Sequence, residues 1–245
     1  MFKFSTVAQM KFISRIVMGF SSLALATLFL FSYYGQKIGN FTIDVSQDLY
    51  LNKEMVLSES VDFKESSSRL LASPIGSAAP IGIRGEPERI PIEIENIIDN
   101  LEGGNNNGLN YFAYTFYAKN SGSEEFSYNF SIYIEDSILN LDAAVRVMII
   151  KESDIAGNKI VSSDVYAKPQ SEHGTQPGKP EPGSIPFEAS KKVIGENRYD
   201  FAPGQMDKYS ILMWLHGEDP DCTDLEGRSV KDGAIKLTIK FNIIT

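Results

Sequence analysis

From Phe41 onward the chain alternates apolar and polar positions with a period of two, the pattern of strands that bury one face. In SYNFSIYIED, Tyr128, Phe130, Ile132 and Ile134 alternate with Ser127, Asn129, Ser131 and Glu135, with Tyr133 the one exception. The closing stretch AIKLTIKFNII is stricter: Ile235, Leu237, Ile239, Phe241 and Ile243 share one face, and Lys236, Thr238, Lys240 and Asn242 the other. FTIDV from Phe41 and IPIEIEN from Ile90 repeat the same period and predict strands. Three stretches are apolar on both faces, YFAYTFYA (Tyr111 to Ala118), VRVMII (Val145 to Ile150) and YSILMWL (Tyr209 to Leu215), and predict central strands. Turn-forming clusters separate them: EGGNNNG from Glu102, NSGSEE from Asn120, AGNK from Ala156 and APGQ from Ala202. Only NLDAA around Asp142 and SSSRLLA around Ser67 predict short helical turns, while Lys53 to Ala79 is serine-rich with no clear period. Many strands, frequent turns and almost no helix predict an all-β fold, a two-sheet antiparallel β-sandwich spanning residues 36–245.

The first part of the chain is different. Ile16 to Tyr34, IVMGFSSLALATLFLFSYY, carries no charge, and at 1.5 Å per residue such a helix nearly spans a hydrocarbon core of roughly 30 Å. Residues 1–15 hold Lys3, Lys11 and Arg15 with no acidic residue, so the positive-inside rule predicts a cytoplasmic start and export of everything that follows. The 16–34 segment is then either an uncleaved transmembrane anchor or a signal helix cut near Ser32 to Gly35. The Ala24-Leu25-Ala26 triplet has the form of a cleavage site but lies in the middle of the run. The expected location is the cytoplasmic membrane with an extracytoplasmic domain, or the cell surface after cleavage.

Composition narrows the chemistry. Of 245 residues 42% are hydrophobic, enough for one substantial core, and the net charge of −9 argues against nucleic acid as a partner. A lone cysteine, Cys222, cannot form an internal disulfide, and the carboxylates around it raise a thiol's pKa. Residues 167–186, with KPQSEHGTQPGKPEPGSIP, are rich in proline and glycine and poor in apolar anchors, which predicts an exposed, flexible loop. The two histidines, His173 and His216, stand in no zinc-binding motif; an exported metallohydrolase would have to draw on His216 and the carboxylates beyond it. That stretch, WLHGEDPDCTD, offers Glu218, Asp219, Asp221 and Asp224 as hard oxygen ligands for calcium, without EF-hand spacing: Thr223 stands fifth, Asp224 stands where glycine is required, and no glutamate closes the loop. The plainer reading is a solvated acidic turn at the end of a buried strand, with Trp214 in the core and Gly217 letting the chain leave the sheet. Glu93 and Glu95 on one strand face read as a solubilising surface. No nucleophile elbow, phosphate loop or dinucleotide fingerprint is present, so the residues predict a protein without a catalytic centre.

The order of YYGQKIGNFTIDV, NYFAYTFYAKNSGSEEFSYNFSI, AVRVMIIKE, VYAKP, FAPGQMDKYSILMWLHGEDPDC and GAIKLTIKF after an apolar helix resembles the TasA/camelysin group of exported proteins of Gram-positive bacteria. The resemblance covers most of the chain and is carried by the combination. It implies a jelly-roll-like sandwich outside the cytoplasmic membrane and, for the TasA branch, matrix fibres built by strand donation between subunits. For the camelysin branch it implies metalloprotease activity, from which this chain departs by lacking a zinc motif. The expected partners are the membrane, through the N-terminal helix, and further copies of the chain, through edge strands, with NFTIDV as the candidate donor. The expected role is structural or adhesive; the alternatives are a calcium-stabilised binding module and an exported metalloprotease.

Overall fold

The computed structural model describes residues 16–22, 25, 41–76, 78–81, 90–155, 158–222 and 233–244. The chain divides into two units, Met1–Gly39 and Asn40–Thr245. In the first, residues 16–22 and 25 are helical and exposed, and no helix among the described residues is long and apolar enough to cross a membrane. The basic 1–15 region and most of the expected 16–34 span lie outside the described residues.

The second unit is a β-sandwich. One sheet has the order β10-β6-β12-β1-β3, from β1 (Phe41–Val45), β3 (Arg69–Ala72), β6 (Phe126–Ile138), β10 (Lys192–Phe201) and β12 (Ala234–Ile243). The other has the order β2-β5-β11-β7-β8-β9, from β2 (Met55–Ser58), β5 (Tyr111–Asn120), β7 (Val145–Ile155), β8 (Asn158–Ala167), β9 (Ile185–Pro186) and β11 (Met206–Leu215), with the short β4 (Gly104–Asn105) also on β5. Most pairs are antiparallel. Two are parallel, β1 with β12 and β8 with β9, so the sheets are mixed where uniform antiparallel pairing was expected.

The period-two side chains meet between the sheets as predicted. Phe112, Tyr114 and Phe116 of β5 and Tyr209 and Ile211 of β11 face Tyr128 and Phe130 of β6 and Ile239 and Phe241 of β12, all buried. Phe130 stacks on Tyr209 with ring centroids 4.5 Å apart, and Phe241 meets Phe116 edge-on at 6.1 Å, geometries that suit the ring quadrupoles.

The strands apolar on both faces are central, and the reason lies on the outside of the second sheet. There Ala113, Met148, Ile150, Leu212 and Trp214 form a second buried cluster, closed by Ile81, Ile94 and Leu101. The cover includes a helix, α2 (Ile92–Ile98), which follows α1 (Gln47–Asn52) in chain order. IPIEIEN is therefore helix, contrary to the strand expected from Ile90. Ile94, Ile97 and Ile98 stand at helical spacing toward the sheet, Pro91 sits at the N-cap, and Glu93 and Glu95 in the first turn favour the positive end of the helix dipole. SSSRLLA differs in the opposite sense: its second half is β3, pairing with β1, while Leu141–Ala143 does form the short turn expected of NLDAA. The APGQ turn carries the chain from β10 in one sheet to β11 in the other, with Gly204 at φ +80°, a conformation that favours glycine.

FTIDV is a strand as predicted, but not an edge. β1 lies between β12 and β3 and is paired on both sides, because Phe41, Ile43 and Val45 alternate inward and complete the core.

Candidate functional site

VRVMII carries one charge, Arg146, directly opposite Trp214 on β11. Alternation along β7 turns Arg146 to the outer face with Met148 and Ile150, where its side chain is only 4% exposed. A buried guanidinium must be matched by carboxylates. Two segments distant in sequence supply them. Asp219, from the turn after β11, accepts a hydrogen bond from Arg146 Nη1 at 2.7 Å, and Glu181, from the Pro-rich connection, lies 3.3 Å from Nη2. Asp219 Oδ1 also accepts the Asp221 backbone N–H at 2.9 Å, and Asp221 Oδ1 accepts the Ser171 hydroxyl at 2.6 Å.

The turn itself is compact. Ile81 brackets it, its N–H donating to the Leu215 carbonyl while its own carbonyl accepts from Gly217, and Asp219 and Cys222 close successive tight turns through their N–H groups. Gly217 does let the chain leave the sheet, and Trp214 is core. Two polar atoms beside this turn, Trp214 Nε1 and His216 Nδ1, are buried without a hydrogen-bond partner.

Burial and charge set the protonation states. Burial pushes the Glu181 carboxyl up to about 7, helped by Asp219 and opposed by Arg146. Burial also raises Asp219, outweighing the hydrogen bond from the Asp221 N–H and the pull of Arg146. His216 falls to about 4, first through burial and then through Arg146, with Glu218 opposing from 3.7 Å. The Cys222 thiol rises to about 11 through burial and the nearby Asp219. At neutral pH the site thus holds a neutral imidazole and a protonated thiol, and its arginine is already engaged. This chemistry supplies no activated nucleophile.

Of the four calcium candidates, Asp219 is buried and takes protein donors on both oxygens; Asp221 is half-buried and holds Ser171; Glu218 is exposed beside His216. Asp224 lies outside the described residues. Among the described residues no group of three or more His, Cys, Asp or Glu side chains is arranged to hold a metal ion. His173 is exposed in the Pro-rich connection, where its backbone N–H donates to the Ser171 hydroxyl at 3.0 Å.

Residues 168–186 are exposed along most of their length, with two exceptions. Gln170 and Glu181 are buried. Gln170 Oε1 accepts the Gln176 N–H at 2.8 Å, and its backbone bonds to Lys179 and Gly178, so the loop is folded around one glutamine and tied down by Glu181. Neither Gln170 nor Glu181 was legible as an anchor. Arg146 was not singled out either, though one charge on a strand otherwise apolar on both faces is a signal that could have found it.

A second polar cluster lies inside the sandwich. Asp207 Oδ2 accepts from the Tyr128 hydroxyl at 2.6 Å and from Arg198 Nε at 3.3 Å, and the Tyr128 and Tyr209 hydroxyls are 2.8 Å apart. Burial holds both phenols protonated, far above their ordinary range. Arg198 also donates to Gln205 Oε1 at 3.0 Å, so this network joins β10, β11 and β6 across the two sheets and reads as a structural tie.

No protein-family model matches the chain, and neither does any curated protein or solved structure.

Proposed function

We propose that this is a non-enzymatic protein of the bacterial surface, delivered or tethered by its 16–34 segment, whose jelly-roll-like sandwich assembles with further copies by exchange of β1. The observation that carries this reading is the position of β1. Among the described residues it is the first strand after the apolar segment, it runs parallel to the last, β12, and it contributes Phe41, Ile43 and Val45 to the core. Its register pairs Thr42 to Val45 with Thr238 to Phe241, and at its exit the Ser46 N–H reaches the Phe241 carbonyl at 2.8 Å. A strand that enters its sandwich first can be withdrawn and supplied by a neighbour with these contacts remade, so exchange costs little once the connecting segment reaches. The Arg146 and Asp207 clusters support a structural role, each tying together segments distant in the chain.

The test is complementation. A chain lacking 40–45 should lose thermal stability, and a synthetic NFTIDV peptide should raise its melting temperature in a concentration-dependent way while a scrambled peptide should not. The intact chain should form concentration-dependent oligomers that the excess peptide caps. A deletion that leaves both melting and self-association unchanged would refute the reading.

A further inference from the structure

The second sheet has an open edge. β8 pairs with β7 along its whole length, from Asn158 to Tyr166, but β9 covers its other side only at Tyr166 and Ala167. Among the described residues nothing pairs with the outer edge from Asn158 to Val165. Six consecutive residues from Asn158 are exposed, with Ile160 at 48% and Val161 at 57%, and the strand holds no proline that would blunt it.

The direction of the free backbone groups follows from one hydrogen bond. The Phe187 N–H donates to the Ala167 carbonyl at 2.9 Å, so Ala167 points its main-chain groups away from β7. The β7 pairing runs without a bulge, so the two-residue alternation gives the same outward direction to Lys159, Val161, Ser163 and Val165.

We propose that this edge is an interface with a second copy of the chain, β8 pairing antiparallel with the partner's β8 about a two-fold axis at Val161. The axis position is decided by what each register opposes. Centred on Val161, the pairing runs from Asn158 to Asp164 and stops short of β9. It sets Val161 against the partner's Val161, Lys159 against the partner's Ser163, and Asp164 against the partner's Asn158, with no like charges opposed. Centred on Ser162, it would set Ile160 against a carboxylate, the partner's Asp164. Centred on Ser163, it would need the Ala167 carbonyl that Phe187 already occupies. Charge favours this edge over the rest of the surface. The chain carries −9, whereas Asn158 to Val165 contains one lysine and one aspartate and is neutral. This interface is independent of export and of β1 exchange.

The test uses the full chain in mild detergent with Cys222→Ser as background. Val161→Cys should form a disulfide-linked dimer under mild oxidation, because a residue opposite itself brings the two sulfurs within bonding reach. Lys159→Cys alone should not, and adding Ser163→Cys to it should restore the cross-link. In sedimentation, Val161→Lys should weaken self-association at least tenfold with an unchanged circular dichroism spectrum. Equal cross-linking by Lys159→Cys and Val161→Cys, undiminished association of Val161→Lys, or a parent chain that stays monomeric at every concentration would each overturn the proposal. The cross-linking pattern and the Val161→Lys effect do not depend on residues 40–45, so their failure in a chain that does associate leaves the exchange of β1 standing, whereas a parent chain that stays monomeric overturns both.

Discussion

Two buried residues of opposite habit, Glu181 and His216, share the surroundings of Arg146. Glu181 has a folded pKa of about 7 against an ordinary 4.5, so its contribution to stability is fully present below about 4.5 and is lost as pH rises through about 7. His216 is lowered from 6.5 to about 4, so its contribution is present above about 6.5 and is lost as pH falls through about 4. Across the shared window, from about 4.5 to 6.5, the contributions of these two groups oppose each other. Glu181→Gln removes the carboxyl, so its denaturant midpoints should climb relative to the parent's from about pH 4.5 to 7. His216→Gln removes the imidazole, so its midpoints should fall relative to the parent's from about pH 4 to 6.5. Identical pH profiles for both variants would contradict the assignment. Legibility at this scale was uneven. Trp214 and Gly217 could be read from local pattern, since an apolar flank and a glycine are local properties. Glu181 could not, because its burial depends on an arginine in another strand.

Among the elements, α2 is the case in which two periods competed. Ile90, Ile92 and Ile94 satisfy alternation, while Ile94, Ile97 and Ile98 satisfy helical spacing, and a stretch of seven residues cannot decide between them. The outer face of the second sheet decides, because Ala113, Met148, Ile150, Leu212 and Trp214 would otherwise meet water and an amphipathic helix covers them. Ile94 is fully buried and Ile92 is 67% exposed. Ile94→Ala should therefore cost about 2 to 5 kcal/mol in chemical denaturation, and Ile92→Ala less than about 0.5. On a strand the two side chains would point the same way and cost alike. β8 and β10 escaped the alternation reading for a related reason: β8 is exposed over most of its length and β10 is irregularly buried, so neither displays one clean apolar face.

At the scale of the whole molecule the second sheet is shared by two cores, the large one between the sheets and the smaller one under α2. Each of its central strands contributes to both, so neither core survives loss of that sheet. Thermal unfolding should be a single transition. The chain's one tryptophan, Trp214, reports the outer core by fluorescence, and the buried tyrosines Tyr114, Tyr128 and Tyr209 report the inner core by near-ultraviolet absorbance. The two midpoints should coincide within about 1 °C, as two-state behaviour requires. Separate midpoints would mean that the helical cover melts apart from the sandwich.

What the sequence by itself determined is the class of the body and most of its central strands, because a two-residue period with branched and aromatic side chains leaves the chain one economical way to hide them. It determined as well the turns that follow β5 and β10. Which strands become neighbours was decided only in the tertiary structure: the parallel seat of β1 beside β12, the helix over the outer face, and the meeting of Arg146 with Glu181 and Asp219. These depend on contacts between residues far apart in the chain, and a local pattern holds no record of the partner that burial will bring to it.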